Sequence, residues 1–120
     1  MLLRALNLLL CLVMLAFVAM QYNDPDGPLW MLYYTVPALW AGVMAWRRDL
    51  PQRPRWRAAL GASLVVWAGL MVFYWPSMPG FWRKEVWWVE ETAREGMGMM
   101  IAFAVVAFAA VQAATARRHR

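Results

Sequence analysis

The sequence predicts an all-α, polytopic membrane protein, a four-transmembrane-helix bundle with a short amphipathic helix leading into span four. Three observations predict it. Four apolar stretches, Leu2 to Met20, Leu29 to Trp46, Ala58 to Trp75 and Met97 to Ala116, each approach the roughly 20 residues that a helix needs to cross about 30 Å of hydrocarbon. Charge is segregated around them: Arg4, Arg47, Arg48, Arg53, Arg55, Arg57, Arg117, Arg118 and Arg120 fall on one predicted face, against Asp24, Asp26, Glu85, Glu90, Glu91 and Glu95 on the other. Finally, Trp30, Trp46, Trp56, Trp75, Trp82, Trp87 and Trp88 sit near predicted span ends, where an amphipathic indole prefers the interface. Only Trp40 and Trp67 lie near mid-membrane.

Four spans take up most of the 120 residues, so residues 1–120 form a single transmembrane domain and any function lies in its helices or loop faces. The positive-inside rule places both termini in the cytoplasm, at the inner membrane if the source is bacterial. A net charge of +5 would suggest nucleic acid as a partner for a soluble protein. Here the basic residues stand where topology puts them, so the expected partners are the lipid bilayer and other membrane proteins or further copies of the chain.

The first span follows Arg4 and reads as a retained helix, because the residues around Phe17-Val18-Ala19 offer no small-x-small cleavage site. Cys11 follows bulky Leu10, which disfavours lipidation, and as the only cysteine it reads as an apolar filler. The first connection, Gln21-Tyr22-Asn23-Asp24-Pro25-Asp26-Gly27-Pro28, is a compact turn in which Asp26 is an expected N-cap ahead of Pro28. In span two, Pro37 removes one backbone hydrogen bond, which bends the helix and frees a carbonyl near Tyr33 or Tyr34. The Arg-rich second connection fixes topology and meets anionic headgroups. After the breaker Pro76-Ser77-Met78-Pro79-Gly80, the positions Trp82, Val86, Val89 and Ala93 share one helical face, predicting an amphipathic helix that runs into span four. Within that span Gly98-x-x-x-Ala102 suits close helix packing.

Much chemistry is excluded at once. The one cysteine and the one histidine, His119 in the basic tail, leave no Cys/His zinc site, bis-His haem or Ser-His-Asp triad within the chain. Met97, Met99 and Met100 read as packing residues. What remains is acidic. Asp24-x-Asp26-Gly27 fails as a calcium loop because the first and twelfth ligand positions are Tyr22 and Tyr33. Asp24, Asp26, Glu91 and Glu95 are nonetheless the candidate metal ligands, since topology sets both acidic segments on the non-cytoplasmic face. No cofactor is expected beyond a divalent cation at that cluster. Alternatively, Arg94, four residues after Glu90 and three after Glu91, would clasp the carboxylates into a structural ion-pair cluster.

The turn Gln21-Tyr22-Asn23-Asp24-Pro25-Asp26, with Trp30 and Tyr33 or Tyr34 after it, and the later Glu91-x-x-Arg94-Glu95-x-x-Gly98 resemble the hallmark segments of the transmembrane protein 220 family. The resemblance covers nearly the whole chain. It implies a small four-span integral membrane protein and supplies no established activity. The chain departs from the family pattern at Gly27, where a further Pro often follows the second Asp.

Three functions are expected of such a chain. The first is a non-catalytic membrane subunit or scaffold with an acidic cluster on its non-cytoplasmic face. The second is a cation-binding or cation-conducting protein using that cluster, although Asn7, Thr35, Ser63 and Gln112 are too few to form a relay through the spans. The third is a membrane-surface enzyme in which Glu95 and Asp24 act as acid and base, with no nucleophile in sight.

Overall fold

The computed structural model describes residues 1–118; His119 and Arg120 of the basic tail lie outside the described residues. The regular structure among the described residues is entirely helical: α1 (Leu2–Ala19), α2 (Gly27–Trp46), α3 (Pro54–Phe73), the single turn α4 (Lys84–Trp87) and α5 (Glu91–Arg118), with a short 3-10 segment at Leu50–Gln52. Helices α1, α3 and α5 are long and apolar enough to cross a membrane. The 20 residues of α2 match them in length. Its composition differs because its surroundings differ: α1 packs on one side of it and α5 on another, while α3 packs against α5. Trp30, Tyr34, Pro37, Trp40, Ala41 and Met44 of α2 are all buried. Leu29, Leu32 and Leu39 leave one side of the helix exposed, while the buried side can carry tyrosine, proline and indole N–H groups that a lipid-facing surface cannot, provided their hydrogen bonds are met internally.

Two of those needs are met by α3. Pro37 has no N–H for the carbonyl four residues earlier, that of Tyr33, and the indole Nε1 of Trp67 donates to this carbonyl at 3.0 Å. The indole of Trp40 donates to Ser63 Oγ at 3.0 Å, and the Ser63 hydroxyl passes its own proton to the Ala59 carbonyl at 2.9 Å. Both mid-span tryptophans are therefore interhelical ties. Helix α5 meets its neighbours through a stripe of small and flexible residues: Met99, Ala102, Val106, Ala109 and Ala113 are buried at alternating spacings of three and four. Gly98 extends the stripe and lies so close under the Tyr34 hydroxyl that a Cβ there would strike it.

The start of α1 is fixed by polar contacts. Asn7 and Gln112 exchange amide hydrogen bonds at 2.7 and 2.9 Å, and each also donates to a carbonyl in its own helix, Leu3 and Phe108. Both side chains are buried. Arg4 Nε donates to the Ala45 carbonyl near the C-terminus of α2, and Gln52 Nε2 to the Ala113 carbonyl. A bidentate pair joins Arg47 to Asp49 at 3.1 and 3.2 Å, and its hydrogen bonds hold the Asp49 carboxyl below the usual carboxylate range. These contacts gather the beginning of α1, the end of α2, the Leu50–Gln52 segment and the end of α5 into one end of the molecule, the basic end. The first connection, the Tyr33 to Tyr74 hydroxyl contact at 3.1 Å and the start of α5 form the opposite, acidic end.

Two sequence expectations are corrected here. The amphipathic helix leading into span four is one turn long: the chain breaks after Trp87, and α5 begins afresh at Glu91. Trp82 and Val89 are consequently exposed and Val86 half-buried, while Ala93 is fully buried, so the four do not share a face. Adjacent bulky and β-branched residues at Trp87-Trp88-Val89 are weak helix formers, and Arg94 stabilises the break by donating to the carbonyls of Trp87 and Trp88 at 2.8 and 2.9 Å. Trp30 is also not an interfacial anchor. It is 2% exposed and packs against Tyr33, Tyr34 and Tyr74, with ring centroids 5.0 to 5.9 Å apart.

Candidate functional site

The first connection is a tight backbone construction. Asp24 N–H donates to the Gln21 carbonyl at 3.2 Å and Gly27 N–H to the Asp24 carbonyl at 3.0 Å. The Gln21 carbonyl also presses on Gly27, where a Cβ would collide with it. That contact explains why a glycine opens α2. Asp26 stands at the N-cap position as expected, yet its side chain makes no capping hydrogen bond. Its carboxylate turns to α5 instead.

There it meets Glu91 and Glu95, which are one helical turn apart on the same face. Oxygens of Asp26, Glu91 and Glu95 lie within 4.8 Å of one another, a spacing that could hold a cation. Asp24 is outside this triad; it lines the cavity that Glu91 and Glu95 also face. The structure thus brings together three of the four candidate ligands directly, with the fourth on an adjoining wall. The expected clasp does not form. Arg94 spends its Nη1 on the Trp87 and Trp88 carbonyls, and the ion pairs present among the described residues join Arg47 and Arg53 to Asp49 at the other end of the molecule. Glu91 gains from the partial positive charge of the α5 N-terminus, but Glu91 and Glu95 are a like-charge pair at helical spacing.

Beneath the acidic rim lies a cavity of about 420 Å³ bounded by α1, α2 and α5. Gln21, Asp24, Trp30, Tyr34, Glu91, Arg94, Glu95 and Gly98 line it, together with Phe17, Met20, Trp87, Met97 and Ile101. Most residues of the two motif segments therefore converge on one space. The exceptions are Tyr33, engaged with Tyr74 and with Trp67, Tyr22, Asn23 and Pro25, exposed in the turn, and Asp26, which is exposed and reaches Glu91 and Glu95 without lining the cavity itself. The apolar wall was not singled out from the sequence, although part of the signal was there: Glu91, Arg94, Glu95, Gly98 and Ile101 of α5 fall at i, i+3, i+4, i+7 and i+10, whereas Met20, Gln21 and Asp24 reach the cavity from the turn after α1.

Two groups in the cavity wall are chemically conspicuous. Tyr34 is 5% exposed and edge-on to Phe17 at 5.2 Å, and its hydroxyl, set over Gly98, has no hydrogen-bond partner among the described residues. The indole N–H of Trp30, on a side chain equally enclosed, also has none. Neither atom is sealed into the packing, where an unpaired polar group would be costly, so both are accessible to a hydrogen-bonding partner from outside the protein. The arrangement offers attraction for positive charge, open donors and an apolar wall.

No curated protein and no solved structure matches the chain significantly. The family model described as "Transmembrane family 220, helix" matches residues 8–111. That span contains α2, both motif segments and most of α1 and α5, and hence every element that shapes the cavity. With the apolar helices already described, it makes this an integral membrane protein, and the chain belongs to transmembrane family 220.

Proposed function

We propose that this is a non-catalytic, four-span membrane protein with cytoplasmic termini, and that its non-cytoplasmic cavity binds a positively charged ligand. The observation that carries the reading is the convergence of two acidic segments, distant in sequence, on one cavity whose carboxylates form no ion pair with an arginine among the described residues. Unpaired carboxylates crowded together are held against their own repulsion, and a cation relieves it. Support for the fourth span comes from the length of α2 and its place between α1 and α5. Support for the orientation comes from the basic residues collected at the opposite end.

A catalytic role has less behind it. Around the carboxylates stand tyrosine, tryptophan, methionine and glutamine, and none is placed as a nucleophile with a base beside it.

A second reading, as a scaffold or subunit, draws on α3. Ala58, Gly61, Ala62, Val65 and Gly69 form an exposed small-residue face, and nothing lies within 4 Å of the Cβ positions of Gly61 and Gly69. Small residues permit close packing with a helix of another membrane protein or a second copy. Crosslinking in native membranes that recovers only monomer would remove that role.

The main reading is tested by thermal unfolding of the full chain in a nonionic detergent with Ca²⁺, Mg²⁺, Mn²⁺, Zn²⁺ or a primary alkylammonium, beside Asp24→Asn and Glu95→Gln. A ligand at about 100 times its dissociation constant adds roughly 2.7 kcal/mol to the native state. A rise specific to one cation and lost in both variants is the expected result. Absence of a rise with every cation overturns it.

A further inference from the structure

We propose that the occupant of this cavity is the headgroup of a zwitterionic membrane lipid carrying a primary ammonium and a phosphate. The inference rests on the cation-binding reading and goes further by naming the ligand class. Three independent features of the cavity select it.

The first is the acidic rim. A primary ammonium has three N–H donors in tetrahedral directions, and acceptors placed at charge-assisted hydrogen-bond distance around it stand about 4.6 Å apart. Oxygens of Asp26, Glu91 and Glu95 lie within 4.8 Å of one another, a bound that admits this separation, and Glu91 and Glu95 line the cavity. A quaternary ammonium has no N–H to offer such a set.

The second is the set of open donors. A bare metal ion uses carboxylates and has no use for an indole N–H or a guanidinium. Trp30, Tyr34 and Arg94 nevertheless face the same cavity as Glu91 and Glu95. Trp30 and Tyr34 are 2% and 5% exposed and have no partner for their polar atoms among the described residues, and Arg94 commits only Nη1 to protein carbonyls. Donors beside carboxylates demand a ligand with an oxyanion next to its cation, which describes a zwitterion.

The third is the way out of the cavity. Met20 and Ile101 belong to its wall and are also exposed on the outer surface, Met20 at the end of α1 and Ile101 within the membrane-crossing part of α5. Phe17, Met20, Met97 and Ile101 thus give the cavity an apolar side, and two of the four are also exposed on the surface that meets lipid. A soluble zwitterion would leave this apolar path unused, whereas an acyl chain follows it.

The test is native mass spectrometry of the full chain in a nonionic detergent, titrated separately with lysophosphatidylethanolamine, lysophosphatidylcholine, lysophosphatidylglycerol, free phosphoethanolamine and Mg²⁺ or Ca²⁺. The expected result is saturable binding of lysophosphatidylethanolamine, at least about tenfold tighter than the choline and glycerol lipids and than free phosphoethanolamine. Glu95→Gln should weaken it about tenfold or more, and Tyr34→Phe about threefold to tenfold, because each removes one hydrogen-bonding partner. Tyr34→Phe is the cleaner variant, since the hydroxyl it removes has no hydrogen-bond partner among the described residues. Equal binding of all three lipids would mean annular association and overturn the proposal. So would binding of a divalent ion, lost in Glu95→Gln, without selectivity for the ethanolamine lipid; the cation-binding reading would then survive. Binding of free phosphoethanolamine as tight as that of the lipid would also overturn it, making the site one for a soluble zwitterion. No binding of any cation or ammonium compound would bring down both.

Discussion

The two ends of the molecule handle polar groups in opposite ways. At the basic end nearly every polar side chain that enters the helix packing is matched inside the protein: Asn7 with Gln112, Arg4 with the Ala45 carbonyl, Arg47 with Asp49. Gln52 Oε1 is the exception, buried without a partner while its Nε2 bonds to Ala113. At the acidic end the Tyr33 and Tyr74 hydroxyls meet and Gln21 bonds to the Phe17 carbonyl, but around the cavity the matching is incomplete. Asp26, Glu91 and Glu95 crowd one another, Arg94 gives its Nη1 to backbone carbonyls, and Trp30 and Tyr34 line a cavity with their polar atoms unbonded among the described residues. The difference separates structure from function: paired polar groups join helices, while groups left open around a space await a ligand.

If that division holds, substitutions at the two ends fail differently. The largest effect belongs to Gly98→Ala. Its Cβ would occupy the place of the Tyr34 hydroxyl, forcing α2 and α5 apart, and overpacking of this kind costs about 1–3 kcal/mol. Thermal unfolding should show the loss, and Tyr34→Phe in the same chain should restore most of it. If the double variant is no better, the close approach at Gly98 is not what the residue is for.

Next comes Asn7→Leu, which strands the Gln112 amide in an apolar interior at a cost of about 1–3 kcal/mol. The double variant Asn7→Leu, Gln112→Leu removes both partners and should recover much of the loss. Additive losses would show that the two amides do not act as a pair. Trp67→Phe is smaller, about 0.5–1.5 kcal/mol for one interhelical hydrogen bond, and depends on Pro37. In a Pro37→Ala background the helix supplies its own N–H to the Tyr33 carbonyl, so Trp67→Phe should lose less there than in the native chain.

The smallest change in basal stability is expected where the sequence looks most conspicuous. Glu95→Gln removes one of three crowded charges and should leave the melting temperature unchanged or slightly raised without ligand. A marked fall would mean that Glu95 is a structural partner, returning the acidic end to the same class as the basic one.

Much of this was legible in the chain. The long helices were placed because lipid imposes apolar runs of a fixed length, although α3 starts four residues before Ala58 and α5 six before Met97, where polar turns extend the helices beyond the apolar run. The carbonyl freed by Pro37 was legible too, since ring chemistry dictates which bond is missing. Its partner, Trp67, was not: an indole that serves a carbonyl on a neighbouring helix leaves no local pattern. Asn7 and Gln112 stood out as polar groups in apolar spans, but their pairing depends on helix adjacency, which hydropathy does not encode. The segment before α5 misled because helical periodicity ran through Trp82, Val86, Val89 and Ala93, while the bulk of Trp87-Trp88-Val89 and the carbonyl-seeking Arg94 broke the helix. At the site, the acidic residues were named from the sequence. Their convergence, the apolar wall and the unpaired Tyr34 hydroxyl needed the packing of α1, α2 and α5.

The most direct test of the division between the two ends compares ligand-induced stabilisation in the native chain, Glu95→Gln and Asn7→Leu, with the ethanolamine lipid and divalent cations as ligands. The account predicts that Asn7→Leu melts lower yet keeps the full ligand increment, roughly 2.7 kcal/mol at about 100 times the dissociation constant. It predicts that Glu95→Gln melts normally and loses that increment. A Glu95→Gln chain that melts far below the native one, with no ligand raising the melting point of either, would contradict it and make both ends parts of one structural core.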